Sequence, residues 1–103
     1  MQEQLPPHLA ALKAHDPKLM EQVVNVQDFV IQEGVLSLKV KTLMMLLCDS
    51  LLARPHGVKI LADRARGLGA TEEEIAETVQ VAYLFGGWSA LFPALNAFEP
   101  VQL

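Results

Sequence analysis

The chain has 103 residues and a mass of 11.3 kDa, which allows one domain, spanning residues 1–103, and hardly more. Eight Lys and Arg against twelve Asp and Glu leave a formal charge of −4 without any basic run. That excludes nucleic-acid binding, because phosphate contacts need clustered cations. With 51% hydrophobic and 6% aromatic residues the chain is too apolar for disorder, and its single cysteine cannot build a disulfide framework. Apolar residues beyond what one small core can hide need a partner surface, so a homo-oligomer is expected.

The opening residues Met1 to Pro7 lack the basic region and apolar core of a signal peptide, so a soluble cytoplasmic protein is expected. Pro6-Pro7 opens a short helical segment, Leu9 to His15. Asp16-Pro17 then supplies an N-cap followed by a proline at the first helical position. Leu19, Val23, Val26, Val30 and Ile31 mark one apolar face of the next helix, which Glu33-Gly34 stops.

Ser37 is the expected cap of a third helix running to about Ala53. This helix contains Leu43-Met44-Met45-Leu46-Leu47-Cys48, apolar all round and so expected to be buried on every side, in part by another subunit. Arg54-Pro55-His56-Gly57 reads as a break, followed by a fourth helix over about Val58 to Gly67. Its spacing places Ile60, Leu61, Ala65 and Leu68 inward, with Lys59, Asp63, Arg64 and Arg66 outward.

The sharpest local signal is Thr71-Glu72-Glu73-Glu74. Thr71 and Glu74 have the spacing of a capping box, and three carboxylates sit at the positive end of the helix dipole. The acidic cluster therefore reads as a helix start rather than an acid–base or metal site. Ile75, Val79, Ala82 and Tyr83 continue an apolar face to Gly86-Gly87, and a last short helix covers about Ser89 to Phe98. The stretch from Thr78 to Phe98 carries no charge but is interrupted by Gly86-Gly87 and Pro93, so two helices buried in protein are expected and no membrane span. No strand pattern competes, and the predicted fold is all-α, a compact bundle of about six helices.

Gly69-Ala70-Thr71-Glu72-Glu73-Glu74-Ile75, then Glu77 and Phe85-Gly86-Gly87, together with Leu36-Ser37-Leu38-Lys39-Val40-Lys41, resemble the carboxymuconolactone decarboxylase and alkyl hydroperoxidase D-like superfamily. The resemblance covers residues 29–98. It implies an oligomeric helical domain, a dimer, trimer or hexamer, with peroxidase-type (peroxiredoxin) or decarboxylase activity. Peroxidase members carry a Cys-x-x-Cys pair, a following histidine and a preceding glutamate, which together make and regenerate a reactive thiolate. Counted back from Gly69, these positions fall on Arg54, Gly57, Leu61 and Thr42, so the usual equipment is missing. The decarboxylase branch has an Arg-containing turn that Arg54 resembles, where a bidentate contact would hold a substrate carboxylate; its histidine position is again Leu61. The alternative is a non-catalytic oligomeric module that binds a ligand or a partner.

Among the remaining polar residues, Cys48 is read either as a small buried hydrophobe or as a one-cysteine peroxidatic residue with Asp49 or His56 nearby. His56, placed in a loop beside Arg54, is the best acid–base candidate by chemistry. Lys41 and Asp49, eight positions apart on the third helix, lie about 80° apart round its axis and share one broad side. They, with Arg54 and Trp88, are the candidate ligand-binding residues, Trp88 as a cavity lid or as packing. The ligand expected is small and either carboxylated or hydrophobic. His8, His15 and His56 show no metal-ligand spacing, and neither metal nor cofactor is expected.

Overall fold

A computed structural model describes residues 6–101, and Met1–Leu5, on which the signal-peptide reading rests, lie outside the described residues. Six α-helices and one 3₁₀ turn follow in order: α1 (Pro7–His15), α2 (Pro17–Val30), α3 (Leu38–Leu51), α4 (Pro55–Gly67), α5 (Glu72–Gly86), α6 (Trp88–Ala94) and the turn Leu95–Ala97. There is no strand among the described residues, so the fold is all-α as the sequence indicates. None of these helices is long and apolar enough to cross a membrane. The chain forms two compact units, one ending at Gln32 and the other beginning at Glu33.

The first unit is a pair of helices, α1 and α2, joined at Asp16. The Asp16 carboxylate accepts from the Leu19 amide at 3.0 Å, and Pro17 takes the first helical position, where a missing N–H costs nothing. Neither helix buries a residue, and Val26 and Phe29 are well exposed.

The second unit holds the core. Ser37 caps α3 by accepting from the Val40 amide at 3.1 Å. The interior is built from Leu46 on α3, Val58, Leu61, Ala62 and Ala65 on α4, Ile75, Val79 and Ala82 on α5, and Ala90, Ala94 and Ala97 at the C-terminal end. Two inward assignments fail. Ile60 is 43% and Leu68 37% exposed, because the bundle covers only the strip of α4 that carries Val58, Leu61, Ala62 and Ala65.

Two helix ends show the same device with different residues. At the end of α4 the Gly69 amide donates to Arg66 O and the Ala70 amide to Ala65 O, with Gly69 in the left-handed region at φ 95°. At the end of α3 the Ala53 amide donates to Ser50 O and the Arg54 amide to Asp49 O, but here an alanine takes φ 57°. These are paired C-terminal bonds of the Schellman type, and a Cβ in that conformation is strained.

Arg66, predicted to face outward, is instead folded into the structure with only 19% of its side chain exposed. Its guanidinium forks onto both Glu72 oxygens at 2.8 Å, reaches Asp63 at 3.1 Å and donates to Ala97 O at 2.7 Å. Glu99 approaches the same group at 3.5 Å. One cation thereby ties the end of α4 to the start of α5 and to the C-terminal segment. Its hydrogen bond holds the Glu72 carboxyl below the usual carboxylate range. The capping box closes as expected, Glu74 receiving the Thr71 amide at 2.8 Å and Thr71 receiving the Glu74 amide at 3.1 Å. Those bonds, with Lys39 at 2.9 Å, lower the Glu74 pKa as well.

Because both carboxyls titrate lower in the folded than in the unfolded chain, their stabilisation is present above the unfolded value of about 4.3. It is lost as pH falls through the lowered folded values. The urea midpoint is expected to drop below about pH 5, and Glu72→Gln to flatten that dependence; an unchanged acid profile in Glu72→Gln would show that the fork contributes nothing. Ala53→Gly is expected to raise stability by about 1 kcal/mol in urea unfolding, because glycine adopts positive φ without the Cβ penalty.

Candidate functional site

The candidate residues gather where α3 passes into α4. Pro55 is the first residue of α4, with its φ already suited to a helix, so the chain turns through Leu52, Ala53 and Arg54 and starts again without a further loop. This corrects the reading of 54–57 as a break and of His56 as a loop residue. His56 lies in the first turn of α4 and is exposed.

Asp49 is half-buried in the last turn of α3, with 19% of its side chain exposed, 3.6 Å from the Arg54 guanidinium. Its other oxygen occupies the place a Cβ on Gly57 would take, so a larger residue there has to displace the carboxylate. The Arg54 side chain is 64% exposed, so the ion pair is a weak surface contact. The turn thus brings Asp49, Arg54 and Gly57 together, with His56 beside them on α4.

Cys48 is exposed on the single chain. The apolar run of α3 has two faces. Leu46 points into the core, while Met44 (49% exposed), Cys48 and Leu52 (58% exposed) form a strip on the outside. Lys41 is half-buried near the start of α3, where its ammonium lies 3.6 Å from the place a Cβ on Gly34 would occupy. Eight residues of helix separate it from Asp49 by about 12 Å, so the two do not share a site. Trp88 heads α6 with 63% exposure, edge-on to Tyr83 at 5.9 Å and tilted against Phe92 at 5.6 Å. It belongs to an outer aromatic cluster and does not line the groove described below. No group of three or more His, Cys, Asp or Glu there has metal-binding geometry.

Thr42, Gly57 and Leu61, where the family resemblance places a glutamate, a cysteine and a histidine, carry no ionisable side chain. Thr42 is fully buried and donates its hydroxyl to Leu38 O at 2.8 Å within its own helix. Leu61 is part of the core, and Gly57 is covered by Asp49.

A groove of about 320 Å³ lies instead between α3 and α5. Val40, Leu43, Met44 and Leu47 form its α3 wall, and Glu77, Thr78 and Val81 its α5 wall. None of the candidate residues lines it. The signal was nonetheless in the sequence, since Val40, Leu43, Met44 and Leu47 have the spacing of one helical strip and face Glu77 and Val81, one turn apart.

A strand-free bundle with a capped central helix and a tight turn into α4 defines a helical protein of the alkyl hydroperoxidase D-like class. A profile of the carboxymuconolactone decarboxylase family matches residues 17–100, and the chain belongs to that family. An uncharacterized protein of Methanocaldococcus jannaschii is 29% identical over 93 residues, 90% of this chain and 87% of that protein. The apo crystal structure of a carboxymuconolactone decarboxylase family protein from Legionella pneumophila superposes with a TM-score of 0.79. It shares 27% identity, over 87% of this chain and 80% of that one.

The contact between Asp49 and Gly57 sets a sign that a double-mutant cycle reads. Gly57→Ala is expected to stabilise by up to about 1 kcal/mol when Asp49 is alanine, from helix propensity. With Asp49 present the same change is expected to gain less or to destabilise, because the carboxylate is displaced. Equal effects in both backgrounds would show that the contact does not constrain the turn.

Proposed function

We propose that this chain is an oligomeric ligand-binding member of the carboxymuconolactone decarboxylase family that has kept the helical scaffold without dithiol peroxide chemistry. The observation that carries this reading is the state of Thr42, Gly57 and Leu61. One hydroxyl is consumed inside its helix, one position is covered by a carboxylate, and the third is packed in the core. The same leucine leaves the decarboxylase branch without its histidine, so Arg54 alone offers only an exposed cation for a carboxylate.

Self-association is supported by the apolar surface of α5 and α6. Leu84 is 78% exposed, Phe85 81% and Phe92 62%, beside Trp88, in a stretch free of charge. Exposed aromatics of this kind mark association surfaces. A cytoplasmic location goes with this reading. The ligand is small and held largely by apolar contact in the α3–α5 groove.

The exposure of Cys48 favours one alternative, a single-thiol peroxidase. There the thiolate attacks a peroxide oxygen, the O–O bond breaks to release an alcohol or water, and the resulting sulfenate is reduced by two equivalents of an external thiol. Peroxide consumption by the wild type and by Cys48→Ser distinguishes the two. Equal rates are expected, and a rate lost in Cys48→Ser would establish the thiol reading instead.

Light scattering is expected to give a mass several times 11.3 kDa. Phe85→Glu is expected to lower it while leaving helical circular dichroism unchanged. A monomeric wild type would remove the interface from this proposal.

A further inference from the structure

We propose that the groove between α3 and α5 selects small apolar molecules that carry a positively charged, hydrogen-donating head, an alkylammonium in the simplest case. This rests on the ligand-binding reading above and names the ligand's chemistry.

The argument is an inventory of what the groove offers. Its α3 wall is wholly apolar, and Val81 extends that surface on α5. Two polar side chains line it, Glu77 and Thr78. The Glu77 carboxylate is exposed and makes no ion pair or hydrogen bond among the described residues. An ionised carboxylate only accepts. The Thr78 hydroxyl has committed its proton to Glu74 O at 2.9 Å, so toward the groove it too offers only lone pairs. No cation lines the groove, and Lys39, next to Val40 on α3, is held by Glu74 at 2.9 Å.

The polar edge of the site is therefore acceptor-only and negative. A ligand with an ammonium head and a short hydrocarbon body satisfies both edge and walls. A carboxylate of the same length meets Glu77 with like charge and finds no donor. Arg54, the cation suited to a carboxylate, is absent from the lining. The class of ligand is thereby narrowed from carboxylated or hydrophobic to cationic and hydrophobic.

The test uses three probes of equal chain length, hexylammonium, hexanoate and 1-hexanol, titrated into the full chain. Backbone amide shifts are followed at Met44, Leu47, Thr78 and Val81. Saturable shifts are expected with hexylammonium, about two- to fivefold tighter than with 1-hexanol, the scale of an exposed ion pair, and weaker still with hexanoate. Glu77→Gln, a change at an exposed position, is expected to bring hexylammonium and 1-hexanol to equal affinity.

Hexanoate binding as tightly as hexylammonium would overturn the inference, as would an ammonium preference that survives Glu77→Gln. If 1-hexanol binds at these residues without any ammonium preference, the ligand-binding reading stands and the cationic class falls. Shifts with none of the probes, or amides that respond only to protein concentration because a second copy covers the groove, would overturn both.

Discussion

Alanine takes most of the buried apolar positions among the described residues, and much of the second unit follows from that choice. Seven of its twelve buried hydrophobic residues are alanines: Ala62, Ala65, Ala70, Ala82, Ala90, Ala94 and Ala97. Small side chains let helix axes approach closely. Gly86 carries this furthest, since a Cβ there would meet Ala90 at 2.5 Å and Leu51 at 2.8 Å. The cost is that each alanine removes little apolar area from water. The large hydrophobic residues are then left outside, Leu84, Phe85 and Trp88 among them. The 51% hydrophobic content is thus an exterior property as much as an interior one. A chain packed in this way gains more from covering its outer face with another molecule than from enlarging its core.

The α3–α4 turn is built with the same closeness. The turn is short because Pro55 starts α4 at once, and it closes only by holding Ala53 at positive φ. Asp49 then falls against Gly57, and the glycine is required because the carboxylate occupies the place of its side chain. A larger side chain at position 57 and the Asp49 carboxylate as placed here would compete for one volume. Arg54 completes the turn as an exposed counter-charge rather than as a ligand clamp.

What the sequence made legible was whatever local chemistry decides. Asp16-Pro17, Ser37 and the Thr71–Glu74 box cap their helices as read, because the bonds join residues three apart and need nothing from the rest of the fold. The family was legible for the same reason, its marks being helix boundaries. Less legible are the residues whose state depends on distant elements. Cys48 sits in an unbroken apolar run, and no periodicity tells which side of such a run meets the core, so both of its readings stay open in the sequence. Ile60 and Leu68 are apolar residues that α4 turns away from its neighbours. Arg66 looked like a solvated cation, yet its main partners are Glu72, six positions on, and Ala97 O, thirty-one positions on. Proline as a breaker puts His56 in a loop, whereas at the first helical position Pro55 starts the helix that carries it.

The groove adds a constraint of sign that bears on the family's chemistry. Peroxide cleavage leaves negative charge on a departing oxygen, and lactone or carboxylate chemistry also works on anionic groups. Stabilising such charge calls for donors aimed at where it develops. The α3–α5 groove offers the opposite, a free carboxylate and a hydroxyl whose proton is already given away. The one cation near the usual site, Arg54, is paired with Asp49 and faces solvent. Two helices thus meet around a small apolar space whose polar side chains, Glu77 and Thr78, offer lone pairs to a positive charge and no proton to an oxyanion.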